Sequence, residues 1–255
     1  MRAKKHLGQH FLEDNAVIES ILAAMYRDCP QDFPILEVGP GQGVLTFSLA
    51  KHFSQFKAIE FDRDMVRILR KELEEDKVIQ HDFLSADLRD LFDGQAFNLV
   101  GNFPYNISSQ IIFKMIDMVD RIPVMIGMFQ KEVAERICST PGTKKSGIIS
   151  IRAQAYYDAE LLIHVSPDAF NPPPRVDSAV IKLTRKKDFS LPCDPKIFKG
   201  VIKMAFGQRR KKMRNTLKSY LDDLSDPIFQ ERPEQLGVED FINIAKMIEK
   251  QNQKS

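Results

Sequence analysis

The sequence predicts an α/β domain on a mostly parallel seven-stranded sheet, followed by a small all-α C-terminal domain. Three observations predict it. Short β-rich runs alternate with helically spaced apolar runs through most of the chain, the mark of repeated βαβ units. A glycine-rich turn closes the first β-run after the opening helix, where open α/β sheets receive ligands. From Lys187 to Pro195 two prolines and no apolar periodicity separate the last strand from segments that are helical only. With 255 residues, 43% of them apolar, the chain buries a substantial core, and disorder as the dominant state is excluded.

The elements follow in order. Residues 15–28 place Val17, Ile18, Ile21, Leu22 and Met25 at helical spacing, with Asn15 as the N-cap. Strands are expected over 34–38, 56–61, 77–80, 97–101 and 124–129, and helices over 43–52, 64–73, 108–118 and 131–137. The apolar stripe Ile111, Ile112, Met115, Ile116 reads as ordinary core. Residues 147–156 read as a helix, and 159–165 and 179–184 as strands that form an antiparallel hairpin closing the sheet. The boundary falls after residue 187, giving domains 1–187 and 188–255, the second with helices over 197–206, 213–221 and 238–248.

No apolar run approaches the roughly 18 residues of a membrane span, and the basic start leads into no apolar segment, so neither anchor nor signal peptide is expected. Cys29, Cys138 and Cys193 are far apart and odd in number, which argues against a disulfide framework and a thiolate metal site and for a reducing cytoplasm. His6 and His10 flank Gly8 and have no third ligand near, so no metal is expected.

Glu37-Val38-Gly39-Pro40-Gly41-Gln42-Gly43 follows the first of these strands. Glycines there permit a tight turn and a close approach to the backbone, which indicates a nucleotide-type ligand. The dinucleotide fingerprint is only half met, because its third glycine position falls on Thr46. Glu60 ends the second strand, 21 residues after Gly39, where a carboxylate takes both ribose hydroxyls of an adenosyl ligand. Asp82 stands at the same edge to accept from an adenine amino group, with Phe83 covering the ring.

Gly101-Asn102-Phe103-Pro104-Tyr105-Asn106-Ile107-Ser108 follows the fourth strand. Asn-x-Pro-Tyr in this place resembles the motif of methyltransferases that act on exocyclic amino groups of bases. The lone pair of adenine N6 is delocalised into the ring, so the nitrogen is a poor nucleophile until two acceptors hold its N–H groups and favour pyramidal geometry. The resemblance assigns those acceptors to the Asn102 side-chain oxygen and the main-chain carbonyl of Phe103, the rigid turn to Pro104 and base stacking to Tyr105.

With Gly8 to Leu12, Phe129 to Ala134 and Ala169 to Ser178 added, five motifs in order resemble the small-subunit ribosomal RNA adenine dimethyltransferases. The resemblance implies a Rossmann-like class I methyltransferase fold, S-adenosylmethionine as cofactor, and two methyl groups on N6 of each of two adjacent adenosines in the 3′-terminal hairpin loop of small-subunit RNA. The substrate is then that RNA or the assembling small subunit, and the chain is expected to act as a monomer. Cofactor contacts carry over to His10, Leu12, Gly39, Gly41, Glu60, Asp82 and Asn102. Phe170 matches a family aromatic that sandwiches the adenine opposite Tyr105. The familiar pattern has Asn where His10 stands and Leu where Phe103 stands. A large-subunit adenine dimethyltransferase and a non-catalytic ribosome-assembly or transcription factor of the same fold are the alternatives, and a NAD-dependent dehydrogenase is third.

Charge is divided unevenly. Lys182 to Lys218 holds thirteen basic and two acidic residues, against 24 basic and 33 acidic elsewhere. Within it Arg209, Arg210, Lys211, Lys212 and Arg214 are the expected RNA contacts, suited to phosphates and so to affinity and register more than sequence choice.

Overall fold

The computed structural model describes Lys4 and residues 9–253, so the His6 and Gly8 readings lie outside the described residues. In order the elements are β1 (Phe11–Leu12), α1 (Asn15–Asp28), β2 (Ile35–Val38), α2 (Thr46–His52), β3 (Phe56–Glu60), α3 (Arg63–Leu69), β4 (Val78–Gln80), β5 (Asn98–Asn102) and α4 (Ser108–Asp117). They continue with β6 (Val124–Gln130), α5 (Lys131–Ile137), α6 (Ile148–Gln154), β7 (Tyr157–Val165), β8 (Phe170–Asn171), β9 (Ser178–Arg185), α7 (Pro195–Gly207), α8 (Met213–Leu217) and α9 (Val238–Asn252). None of these helices is long and apolar enough to cross a membrane.

The chain forms two compact units. The first runs to Ala134 and resumes over Ala159–Arg185. Its sheet has the order β4-β3-β2-β5-β6-β9-β7, parallel from β4 to β6 and antiparallel between β6 and β9. Strand order reverses at β2, which has β3 on one side and β5 on the other, and such a reversal opens a crevice at the carboxyl ends of the strands. All four residues of β2 are buried, as in a strand covered on both faces. The expected stripe of α4 is core, with Ile111, Ile112 and Met115 fully buried.

Two local expectations need correction, and one pairing is an addition. The N-cap of α1 is Asp14, not Asn15, and its carboxylate accepts from the Ala16 amide at 2.8 Å. The helix after the glycine loop starts at Thr46 instead of residue 43, because Gly43 has a φ of +86°, outside the helical region. A small second sheet that the sequence did not announce pairs β1 with β8 antiparallel, Leu12 opposite Phe170; strands of two residues carry no period to detect.

The second unit comprises Glu135–Asp158 and the chain from Lys186 onward. The division therefore departs from the expected single cut after residue 187: α6, read there as part of the first domain, belongs with the tail. Burial gives the reason. Ile151 in the middle of α6 and Ala155 just past its end sit in one apolar cluster with Phe198, Val201 and Ile202 of α7, Leu217 of α8 and Phe241 of α9. Asp194 caps α7 through the Lys196 amide, with Pro195 at the first helical position, where its missing N–H costs nothing.

Candidate active site

Parallel register brings four strand ends side by side. Val38 pairs with Ile59, Glu60 with Gln80, and Glu37 with Val100, two residues before Asn102. The ends of β2, β3, β4 and β5 thus line one cavity of about 260 Å³, whose walls include Glu37, Gly39, Glu60, Asp82, Asn102 and Tyr105.

The glycine turn is built on left-handed backbone. Gly39 and Gly41 have φ of +67° and +55°, a region that strains any side chain, and a Cβ on Gly41 would meet the Phe11 ring at 3.2 Å. The Gly39 amide donates to the Ile59 carbonyl (3.0 Å) and the Gly41 amide to Glu60 Oε2 (3.1 Å). Glu60 is 7% exposed; its Oε1 accepts from the Asp62 amide at 2.8 Å. Burial pushes its carboxyl up, against the backbone amides that favour the ionised form. Asp82 lines the cavity and steadies its own turn by accepting from the Leu84 amide at 2.9 Å.

The motif after β5 is fixed from two directions. Asn102 Nδ2 donates to the His10 carbonyl at 3.0 Å, which orients the amide and leaves Oδ1 with no hydrogen bond among the described residues. The Phe103 amide donates to the Met128 carbonyl (3.2 Å), while its own carbonyl oxygen accepts none among the described residues. Phe103 is 1% exposed, its ring tilted against Phe129 at 5.1 Å. Gly101 and Gly127 make room for it: a Cβ on Gly127 would fall 2.1 Å from the ring. The larger residue at this position is thus absorbed below the motif, leaving the carbonyl available. The Tyr105 hydroxyl shares a hydrogen bond with the buried Ser178 hydroxyl. The His10 ring stacks on Tyr105 at 5.5 Å, and its Nδ1 donates to the Pro172 carbonyl at 2.8 Å. That bond places the proton on Nδ1 and leaves Nε2 an acceptor in the neutral ring.

Of the expected site residues, His10, Leu12, Gly39, Gly41, Glu60, Asp82, Asn102, Phe103, Pro104 and Tyr105 all line the cavity. Phe170 does not. Its pairing with Leu12 carries the ring into the core, 4% exposed among Leu12, Ala169 and Val165, so the ring that faces Tyr105 is that of His10. Phe83 is likewise buried, with the Lys114 ammonium 5.0 Å from its centroid, and Leu84 and Phe61 form the apolar wall instead. Phe61 is 62% exposed, and a large aromatic directly after the strand-end acid was the signal for it. Truncation by Phe61→Ala is expected to weaken cofactor binding by about 3- to 10-fold, the usual value of one aromatic contact, read by calorimetry.

Glu37 was also not singled out. It is buried in β2 and belongs to the lining of the cavity, its Oε2 has no hydrogen-bond partner of standard geometry among the described residues, and burial pushes its carboxyl up to about 8 against the nearby Thr46 hydroxyl, which favours the ionised form. An unpartnered buried carboxyl beside two further acids and a glycine turn fits a cationic ligand that carries an adenosine.

In the second unit the expected RNA contacts form the turn between α7 and α8, with Arg214 on α8. Arg210, Lys211 and Arg214 are exposed, with no ion pair among the described residues. Arg209 is held by Glu234 at 3.8 Å and by the Lys144 carbonyl, and Lys212 donates to Gln230 at 3.4 Å. No group of three or more His, Cys, Asp or Glu able to hold a metal occurs among the described residues.

Comparison with known proteins places this geometry. The family model described as ribosomal RNA adenine dimethylase matches residues 1–250. The chain is 49% identical, over 98% of its length and 90% of the relative's, to a ribosomal RNA small subunit methyltransferase A of Phocaeicola vulgatus. It is 48% identical, over 98% and 97%, to that of Flavobacterium johnsoniae. Among solved structures, a dimethyladenosine transferase from Plasmodium falciparum superposes with a TM-score of 0.81 at 22% identity, over 95% of this chain and 98% of that one. The 23S rRNA methyltransferase ErmE superposes with 0.67 at 23% identity, over 92% and 99%. Those two likenesses show the shared class I methyltransferase fold. The family match and the identity to its members, over nearly the whole chain, show that this chain belongs to the ribosomal RNA adenine dimethylases, enzymes that use S-adenosylmethionine as methyl donor.

Proposed function

We propose that the chain dimethylates N6 of two adjacent adenosines in the 3′-terminal hairpin loop of small-subunit ribosomal RNA, presented as RNA or within the assembling subunit, and that it acts in the cytoplasm as a monomer. The names borne by its 48–49% identical relatives support the small subunit. The orientation of Asn102 carries the chemistry. With Nδ2 committed to the His10 carbonyl, Oδ1 accepts one N6 hydrogen and the Phe103 carbonyl accepts the other. Two fixed acceptors favour pyramidal geometry at the nitrogen and so withdraw its lone pair from conjugation with the ring, and Tyr105 holds the base by stacking on the face that His10 leaves free.

S-adenosylmethionine supplies an electrophilic methyl on a sulfonium, a leaving group good enough that no strong base is needed at the nitrogen. The residues around Gly39 and Gly41 would hold it, with Glu60 for the ribose hydroxyls, Asp82 for the adenine amino group, Phe61 and Leu84 for the ring, and Glu37 for the cationic end. The displaced N6 proton leaves to water. The test is incubation with labelled cofactor and separated ribosomal particles, followed by mapping of the methylated nucleotides. Label on two adjacent adenosines near the small-subunit 3′ end is expected; label confined to large-subunit RNA overturns the assignment.

The basic turn supplies phosphate contacts. Neutralising Arg210, Lys211 and Arg214 together is expected to flatten the slope of log affinity for RNA against log salt by roughly 0.7–0.9 for each phosphate no longer neutralised. Equilibrium binding between 50 and 200 mM salt, about the range over which such slopes are resolved, measures it.

A further inference from the structure

We infer that the second unit carries a binding subsite for one unstacked RNA nucleotide, in the cleft where α7 turns into α8, with Tyr220 as its stacking face. It rests on the reading of the protein as an RNA methyltransferase and adds to it a point of single-strand selectivity carried by residues of the second unit alone. The cleft, about 600 Å³, is bordered by Gln208, Lys211, Asn215, Thr216, Lys218 and Tyr220.

Four features of this cleft fit a nucleotide. Tyr220 is 48% exposed, an aromatic face left uncovered in a unit whose other large apolar side chains are mostly buried. Lys211 and Lys218 have no ion pair among the described residues, and the acids that follow in sequence are engaged elsewhere: Asp222 accepts from Gln251, and Asp223 from the Ser225 amide at 2.9 Å. Thr216 is 7% exposed and its hydroxyl has no hydrogen-bond partner among the described residues, an unusual state for a buried polar group unless a ligand satisfies it. Gln208 and Asn215 each bring an amide, able to donate and accept at once.

A ring for a base, two ammonium groups for a phosphate, and neutral donors and acceptors for a base edge or a 2′-hydroxyl are together the chemistry of one splayed-out nucleotide. Duplex RNA offers the phosphates but keeps its base faces stacked, so it cannot use Tyr220. Arg209, Arg210 and Lys212 carry charge without lining this cleft, whereas Lys211 and Lys218 bring theirs beside the Tyr220 ring.

The test uses the full chain and two fluorescein-labelled probes of equal length, a single-stranded RNA and a perfect RNA duplex, with affinities from anisotropy at fixed ionic strength. Tyr220→Ala is expected to weaken the single strand by about 5- to 150-fold, the range base–aromatic stacking gives, and to leave the duplex within twofold. Tyr220→Phe is expected to retain the wild-type affinity for both. Lys218→Gln is expected to weaken the single strand and flatten its salt slope, which Tyr220→Ala does not change. Because Tyr220 is exposed, its truncation removes no core packing. Equal losses on both probes, or no loss on the single strand, overturn the subsite. Methyl transfer by the wild-type protein to separated ribosomal particles is measured alongside. Transfer with an inert Tyr220 discards the subsite alone, whereas absence of transfer discards the methyltransferase reading and leaves the binding result to decide the cleft.

Discussion

Replacing Asn102 by alanine is expected to lower kcat for methyl transfer by on the order of 10²–10³-fold, the usual cost of removing one preorganised polar contact to a reacting group. RNA affinity and thermal stability should change little. Among the described residues the side chain makes one hydrogen bond, to the His10 carbonyl, and it sits at the cavity wall rather than in the core. Its Oδ1 acts on the nitrogen lone pair, which matters at the transition state and hardly at all for docking the hairpin. Single-turnover transfer and equilibrium RNA binding separate the two. Unchanged turnover would show that the amino group is activated elsewhere; a parallel collapse of RNA affinity would show that Asn102 serves docking instead.

Glu37 gives the second large effect, and it is read through pH. Burial raises its carboxyl from an ordinary 4.5 to about 8, so the folded protein keeps a proton that the unfolded chain gives up. The stability it contributes is whole below about pH 4.5 and is lost as pH rises through about 8. Without cofactor, the wild-type protein is therefore expected to lose stability relative to Glu37→Gln across that window, by on the order of 1.4 kcal/mol per pH unit. Denaturant melts of both proteins at several pH values measure the difference. A cation placed near this carboxyl favours its ionised form, so cofactor binding near pH 7 should release close to one proton, absent in Glu37→Gln. Calorimetry in buffers of different ionisation enthalpy reads this directly, and equal proton release by both proteins would take Glu37 out of the cofactor site.

The sequence by itself determined the alternation of strands and helices, the glycine turn, the Asn-x-Pro-Tyr motif and the basic segment. Each rests on local information: a period of two or 3.6, a residue that tolerates positive φ, a run of one charge. That local grammar also located Glu60 and Asp82, because βαβ units deliver successive strand ends to one edge of the sheet. The fate of Phe170 could not be read in this way, since burial of its ring depends on a two-residue pairing with Leu12, 158 positions away in the chain. Nor could the allegiance of α6, whose Ile151 finds its apolar neighbours in helices that begin more than forty residues later. Glu37 reads as part of the glycine motif, but only packing on both faces of β2 buries its Oε2 without a partner among the described residues and lifts its carboxyl. His10 departs from the familiar residue at its position, and only the fold shows it filling the place opposite Tyr105 with its proton held by Pro172. Local propensity fixes the kind of element and its approximate bounds; which side chain reaches the ligand is settled by long-range burial, where loss of water contact outweighs any preference written in neighbouring residues.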